Sequence, residues 1–104
     1  PVKVSSRSAS AWGLIANELM TNALKHAFPE GRNGLLVIEL QQYDNEIDLT
    51  VRDDGIGAPK DFDLENPSGL GITMVKMLAE QLGGYLRHAT NGGNTFTVRV
   101  PREQ

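Results

Sequence analysis

Residues 17–27 read Asn17-Glu18-Leu19-Met20-Thr21-Asn22-Ala23-Leu24-Lys25-His26-Ala27. They belong to a longer pattern, from Ser10 to about Phe28, in which apolar residues recur at the spacings of one helical face. The apolar members are Ile15, Ala16, Leu19, Met20, Ala23, Leu24 and Ala27. Pro29 and the glycine-containing stretch after it are expected to end the helix. The sequence therefore predicts an amphipathic helix that packs one face against a core.

A stripe of polar side chains borders the apolar face of this helix. Its members lie at i, i+4, i+7 and i+8, and are Glu18, Asn22, Lys25 and His26. Residues at these spacings share one helical face. A carboxylate or amide oxygen suits Mg²⁺, and an ammonium group can neutralise phosphate charge. On spacing alone, a solvated face with a Glu-Lys contact is the commoner arrangement, so the stripe by itself does not decide between the two interpretations.

The rest of the chain predicts four strands and one more helix. Residues 35–43 and 46–53 form two strands around the turn at Asp44-Asn45, and residues 85–89 and 95–100 form a hairpin around Asn91-Gly92-Gly93. Between the hairpins, residues 54–71 form a loop, and an amphipathic helix runs from Ile72 to Gly83-Gly84. Val2-Lys3-Val4 is a candidate for an additional edge strand.

This order of elements predicts an α+β fold. Strands linked by hairpins imply a largely antiparallel sheet, and both amphipathic helices can pack on one of its faces. We therefore expect a two-layer α/β sandwich in which residues 1–104 form a single domain.

Asp53 is an acidic residue at an apolar position of the second strand. Ile47, Leu49 and Val51 alternate toward the core, and the same alternation sends Asp53 inward and Asp54 outward. A buried carboxylate needs a hydrogen-bond donor. An adenine amino group would supply one, although Asp53 could instead cap the end of the strand through local hydrogen bonds.

Two glycine motifs accompany this aspartate. Gly55 and Gly57 follow it, where the absence of a side chain lets the backbone approach a flat base. Gly69 and Gly71 precede the second helix, whose first free N–H groups could face a phosphate. The second motif lacks the Gly-Lys-Ser/Thr ending of a P-loop and follows no predicted strand, so neither a P-loop nor a Rossmann fingerprint is indicated. A tight loop before a helix is the simpler alternative.

The composition is that of an ordinary folded domain. The 104 residues are 39% hydrophobic and 22% charged, and the net charge of −3 speaks against a nucleic-acid surface. The absence of cysteine excludes disulfides and thiolate metal sites and fits a reducing, cytoplasmic setting. No apolar run approaches the ~20 residues of a membrane span. Both ends look like those of an excised domain, so we expect a longer parent protein.

Four segments, taken in order, resemble the motifs of the gyrase, Hsp90, histidine kinase and MutL (GHKL) superfamily of ATP-binding domains. Residues 17–27 resemble its N box, residues 53–57 its G1 box, residues 69–72 its G2 box and residues 91–96 its closing Gly-Thr box. The residue sequence of the N box is most similar to that of sensor histidine kinases of the HWE and HisKA_2 type. The resemblance implies the Bergerat-type ATP-binding fold with ATP and Mg²⁺ as its ligands.

The N-box resemblance implies a role for each member of the polar stripe. Asn22 would bind Mg²⁺, Lys25 would contact phosphate and His26 would flank the adenine. Glu18, within reach of the metal and the γ-phosphate, would orient or activate the attacking group.

The other boxes imply the rest of the nucleotide site. Asp53 would accept a hydrogen bond from the adenine amino group. The base would be bordered by Gly55, Ile56 and Gly57. The phosphates would meet Gly69, Leu70 and Gly71.

Two features depart from the family pattern. Counting back from Pro101 places Asn94 where the closing box has threonine, so Thr95, one position along, is the candidate for that contact. The segment from Lys60 to Ser68 is short and has one aromatic residue, Phe62, so no phenylalanine-rich F box is distinct. A short lid would close less completely over ATP.

The reaction implied by the resemblance is transfer of the ATP γ-phosphoryl group to a histidine on a separate dimerisation domain, with a response regulator downstream. The acceptor is not expected in this chain, because His26 belongs to the N box and His88 has the context of an ordinary strand residue. We expect a monomer that contacts neither nucleic acid nor membrane. The parent protein could be membrane-anchored.

Three alternatives stay open. A serine kinase of the anti-sigma-factor type uses the same fold on a protein partner. An ATPase clamp of the gyrase or MutL type usually has a longer lid and a following transducer domain. A degenerate domain would bind nucleotide only to signal, although Glu18 and Asn22 speak against it.

Overall fold

A computed structural model of the chain describes residues 2–28, 33–56, 72–90 and 92–102. Helix α1 is continued by a π-helical turn, and two strands, a second helix and two further strands follow. Their bounds are α1 Ser6–Asn22, the π turn Ala23–Ala27, β1 Leu36–Gln42, β2 Glu46–Asp53, α2 Ile72–Gln81, β3 Tyr85–Thr90 and β4 Asn94–Pro101. The predicted order of elements is confirmed, and strand ends differ from the prediction by one residue.

The four strands form one antiparallel sheet in the order β1-β2-β4-β3. Both predicted hairpins are therefore present, and β2 and β4 pair at the centre of the sheet. This central pairing brings the two halves of the chain together in one sheet. The predicted α+β class with a mostly antiparallel sheet is confirmed.

The N-terminal segment differs from the prediction. The additional edge strand at Val2-Lys3-Val4 is wrong, since these residues have no strand structure. Helix α1 also begins at Ser6 and not at Ser10. The reason is Ser5, whose Oγ accepts a hydrogen bond from the Ser8 N–H at 3.2 Å and caps the helix one turn earlier than the apolar pattern indicates.

The core lies between the two helices and the inner face of the sheet. Helix residues Ile15, Leu19, Val75 and Ala79 are buried against strand residues that share this face. Those strand residues are Leu49, Val51, Leu86, Phe96, Val98 and Val100. Burying each large apolar side chain stabilises the fold by roughly 1.5–3 kcal/mol. No helix in the described part of the chain is long and apolar enough to cross a membrane.

The outer face of the sheet contains one buried charge. Asp48 lies on this face, as its alternation with the apolar residues of β2 predicts, but it is buried and not solvated. Arg99 of β4 donates two hydrogen bonds to its carboxylate, from Nε to Oδ1 and from Nη2 to Oδ2, each at 2.7 Å. The hydrogen bonds to Asp48 raise the pKa of Arg99 above its usual range. The pair links the two central strands on the side away from the helices.

Candidate nucleotide-binding site

Asp53 is the last residue of β2. It lies on the inner face of the sheet, in the same row as the core residues Val51 and Leu49. The residue is only 7% exposed, so the inward orientation predicted from the alternation is confirmed. Asp54 is exposed, and its Oδ1 accepts a hydrogen bond from the Leu35 N–H at 2.7 Å. The two adjacent aspartates thus have separate environments.

One oxygen of the Asp53 carboxylate is already engaged. Oδ1 accepts hydrogen bonds from the N–H of Gly55 at 2.9 Å and from the N–H of Asn94 at 3.2 Å. The first contact is the local turn cap that formed the alternative interpretation of Asp53. Oδ2 accepts no hydrogen bond from the described residues. A rigidly held carboxylate therefore presents one acceptor that the described residues leave unoccupied, which a base with an amino group could use.

Three segments of the chain meet around Asp53. The Ile56 N–H donates a hydrogen bond to the Ala27 carbonyl oxygen at 3.1 Å, which joins the end of the N box to the G1 box. A Cβ atom at Gly55 would overlap this Ala27 carbonyl, so only glycine fits. Gly93 has a φ of 146°, and a Cβ atom there would overlap the Asp53 carbonyl oxygen. The closing box is thus packed directly on the G1 box.

The first helix changes its hydrogen-bonding pattern within the N box. It is α-helical to Asn22, and the π turn occupies the residues after it. Glu18 and Asn22 are both half-buried on the α-helical part, at the predicted spacing of one turn. The prediction of one regular helical spacing through residue 26 is wrong, because the π turn rotates Lys25 and the residues after it relative to Asn22. Lys25 is exposed.

The amide of Asn22 is an incompletely satisfied polar group. Its Nδ2 is buried and has no hydrogen-bond partner among the residues that the structure describes. Leaving such a group unpaired costs about 1–3 kcal/mol. The amide oxygen and nitrogen exchange places by a simple flip of the side chain, so either atom can be turned toward a ligand. An oxygen ligand for a hard cation fits this position.

The described residues contain no cluster of three or more His, Asp or Glu side chains that could hold a metal ion.

The structure separates two neighbouring residues of the closing box. Thr95 pairs with Arg52 and Ala89 on the outer face of the sheet. Asn94 is 9% exposed and lies beside Asp53 on the inner side. The residue that can reach the site is thus Asn94, in the threonine place, and Thr95 points away from it.

The remaining predicted site residues are placed as follows. Ile56 is exposed next to Gly55. The side chain of His26 lies outside the described part of the chain, and so do the residues Gly57, Gly69, Leu70 and Gly71.

The side chain of His88 makes a contact next to Asp53 that the sequence did not predict. His88 is a strand residue, as predicted, but its Nε2 lies 2.8 Å from Asn94 Oδ1. Its ring also packs on Phe96, with the ring centroids 4.5 Å apart. The strand spacing contained a signal for this contact, since the two residues flank the tight turn of a hairpin on the same face.

Comparison with known proteins identifies the family of the chain. The family model for histidine kinase-, DNA gyrase B- and HSP90-like ATPases (HATPase_c) matches residues 9–104. The chain belongs to this family, and the resemblance noted from the sequence is confirmed.

Individual relatives show how much of a longer protein this chain corresponds to. It is 36% identical over 100 residues to blue-light-activated histidine kinase 2 of Erythrobacter litoralis, a match covering 95% of this chain and 29% of the relative. The solved structure of the EL346 blue-light activated histidine kinase from the same species matches with a TM-score of 0.87 and 33% identity, over 95% of this chain and 32% of that one. The chain thus spans less than a third of the length of these relatives.

A more distant relative belongs to another class. The chain is 28% identical over 95 residues to the anti-sigma F factor of Geobacillus stearothermophilus. The match covers 82% of this chain and 64% of that protein.

Proposed function

We propose that this chain is the ATP-binding catalytic domain of a sensor histidine kinase, which transfers the γ-phosphoryl group of Mg-ATP to a histidine on a separate dimerisation domain. The observation that carries the proposal is the Asp53 carboxylate. Its Oδ1 is fixed by two backbone N–H groups, which leaves Oδ2 as the acceptor for the adenine amino group. Gly55, Ile56 and Gly57 border the base in this assignment, and His26 flanks it.

The phosphates extend from the base toward helix α1. Asn22 supplies an oxygen to Mg²⁺, and Lys25, which is exposed, contacts phosphate. Mg²⁺ held by Asn22 would supply positive charge against the charge of the phosphates during phosphoryl transfer. Glu18, one helical turn before Asn22, orients the attacking group. The phosphates also meet the segment of Gly69, Leu70 and Gly71.

The protein's own contribution is positioning. Phosphoryl transfer has little covalent chemistry for side chains to perform, so binding the nucleotide rigidly and excluding water contribute most of the rate. The acceptor histidine belongs to a dimerisation domain of the same or a partner protein, and a response regulator acts downstream. The domain itself works as a cytoplasmic monomer.

Serine phosphorylation of the anti-sigma-factor type is the second candidate, and the similarity to the anti-sigma F factor supports it. The higher identity to a histidine kinase over more of the chain favours the first. The two differ in the acceptor and not in the nucleotide site.

Two measurements test the proposal. Calorimetric titration with ADP and ATP, with and without Mg²⁺, is expected to show micromolar to millimolar binding that Mg²⁺ strengthens for ATP. Incubation with γ-labelled ATP and a supplied dimerisation domain is expected to give an acid-labile, alkali-stable phosphohistidine. An acid-stable phosphoserine on the partner would favour the second candidate, and no nucleotide binding would overturn both.

A further inference from the structure

Two inward-facing residues of the β3–β4 hairpin form a pair next to the proposed adenine site. His88 and Asn94 are joined by the 2.8 Å contact between Nε2 and Oδ1. Asn94 is anchored on its other side by the hydrogen bond from its backbone N–H to Asp53 Oδ1. Asn94 is thus held by its side chain on the histidine ring and by its backbone N–H on the aspartate.

The contact with His88 engages the oxygen of the Asn94 amide. A carbonyl oxygen can only accept hydrogen bonds, so this contact requires the proton of His88 on Nε2. With Oδ1 occupied, the remaining polar atom of the side chain is Nδ2, which carries two donor hydrogens. Nδ2 makes no hydrogen bond to any described residue. The packing of the His88 ring on Phe96 keeps the histidine itself in place.

Asp53 and Asn94 are therefore neighbours at the end of the sheet, and their polar groups are complementary. Asp53 presents Oδ2, which only accepts hydrogen bonds, and Asn94 presents Nδ2, which only donates them. The Watson–Crick edge of adenine has the matching pattern, a donor at the N6 amino group next to an acceptor at N1. Guanine has the reverse pattern, an acceptor at O6 next to a donor at N1.

We propose that Asn94 is a specificity-determining residue that donates a hydrogen bond from Nδ2 to N1 of adenine, and that His88 is the positioning residue that aims it. The proposal rests on the assignment of adenine to Asp53 under the proposed function. It gives this chain a direct amide contact to the base at the position where the family pattern has threonine.

The pair also explains discrimination against guanine nucleotides. With guanine in the site, Asp53 Oδ2 would face O6, and Asn94 Nδ2 would face the N1–H group. Both contacts bring like groups together and leave buried polar atoms unpaired. A site built to hydrogen-bond one pattern rejects the opposite pattern strongly for this reason.

The test uses three diphosphates, each titrated calorimetrically into the whole chain. ADP has both groups of the edge, 1-deaza-ADP has carbon in place of N1, and purine riboside diphosphate lacks the amino group. For the wild-type chain, loss of N1 is expected to weaken binding about 3- to 10-fold, as for one neutral hydrogen bond. Loss of the amino group is expected to weaken it more, because its partner is a carboxylate.

Variants assign the N1 contact to its residue. In Asn94→Leu, which keeps the volume without the amide, ADP and 1-deaza-ADP are expected to bind equally. His88→Phe keeps the packing on Phe96 without the ring nitrogen. It is expected to lower the preference for ADP over 1-deaza-ADP, although Asn94 Nδ2 is still present. His88→Gln, which retains a donor, is expected to restore part of it. Thr95→Val, on the opposite face of the same strand, is the control. It should keep the wild-type ratio of ADP affinity to 1-deaza-ADP affinity.

The outcomes separate this inference from the function it rests on. If Asn94→Leu keeps the wild-type ratio of ADP affinity to 1-deaza-ADP affinity and its melting temperature is unchanged, the role of Asn94 is overturned. Equal binding of ADP and 1-deaza-ADP by the wild type, with purine riboside diphosphate still weaker, would overturn the inference but leave Asp53 as the adenine residue. Failure of the wild type to bind ADP would overturn both.

Discussion

The backbone N–H of Asn94 donates a hydrogen bond to Asp53 Oδ1 at 3.2 Å, across 41 positions of the sequence. This contact ties the start of β4 to the end of β2 at the one inner position of the sheet where the apolar row gives way to a carboxylate. It has a functional consequence. The carboxylate cannot rotate without breaking hydrogen bonds to two segments, so Oδ2 is presented in a fixed direction before any ligand arrives, which lowers the entropic cost of binding.

Asp53→Asn tests this presentation. The variant keeps an acceptor for the two N–H groups but replaces the charged Oδ2 by a donor that would face the adenine amino group. We expect the melting temperature to change little and ADP affinity to fall about 10- to 100-fold, as for a hydrogen bond to a charged group. Calorimetric titration measures the ADP affinity. Asp54→Asn is the matched control, since Asp54 faces away, and equal losses in both variants would contradict the assignment.

Gly55→Ala tests the packing of the N box on the G1 box. An added Cβ would overlap the Ala27 carbonyl oxygen, so the backbone must shift. We expect a destabilisation of about 1–3 kcal/mol, as for overpacking of a close contact, together with weaker ADP binding. Denaturant unfolding and calorimetry give the two values.

The control for this prediction lies in helix α1. A Cβ at Gly13 would meet nothing within 4 Å. Gly13→Ala should therefore stabilise the helix by roughly 0.5–1 kcal/mol and leave nucleotide binding unchanged. Destabilisation by both substitutions would show that the cost at Gly55 is not specific to its contact with Ala27.

Asn22→Leu tests the unpaired amide. Removing a buried polar atom that has no partner should raise the free energy of unfolding of the nucleotide-free chain by about 1 kcal/mol. The same substitution should abolish the strengthening of ATP binding by Mg²⁺, because the oxygen ligand is lost. Asn17→Leu, on an exposed position of the same helix, is the control. Undiminished Mg²⁺ dependence in Asn22→Leu would rule out this ligand.

Arg99→Met separates stability from nucleotide binding. It leaves the buried Asp48 carboxylate without its two hydrogen bonds, so the melting temperature should fall by several degrees while ADP affinity stays at the wild-type value. Arg52→Met removes an exposed pair with Glu39 at 3.6 Å and should change the melting temperature much less. Thermal melts with and without ADP make the comparison. A loss of ADP affinity in Arg99→Met would mean that the outer face influences the site.

The elements themselves were predictable because they depend on local periodicity. The apolar residues of α1 recur every three or four positions, and those of β2 every two, so the helices, strands and hairpins follow from residue spacing alone. The inward orientation of Asp53 follows from the same alternation. The early start of α1 does not, since the capping serine lies outside the apolar pattern that marks the helix.

The π turn shows the limit of regular spacing. Nothing in the order of residues from Asn22 to Ala27 distinguishes a π turn from a continued α-helix. The Ala27 carbonyl lies at the end of that turn, where it accepts a hydrogen bond from Ile56, a residue 29 positions away in the numbering of the sequence. A contact between distant segments cannot be derived from the local sequence of either one.

By itself, the sequence determined the class of fold, the family motifs and the aspartate that the nucleotide site is built on, because periodicity and motif order are local properties. Only the tertiary structure decided which atoms surround that aspartate. The central pairing of β2 with β4 places Asn94 against Asp53 and turns Thr95 to the other face. The pairing of β3 with β4 then brings His88 to Asn94. These contacts depend on strand register, which is fixed by packing across the whole sheet.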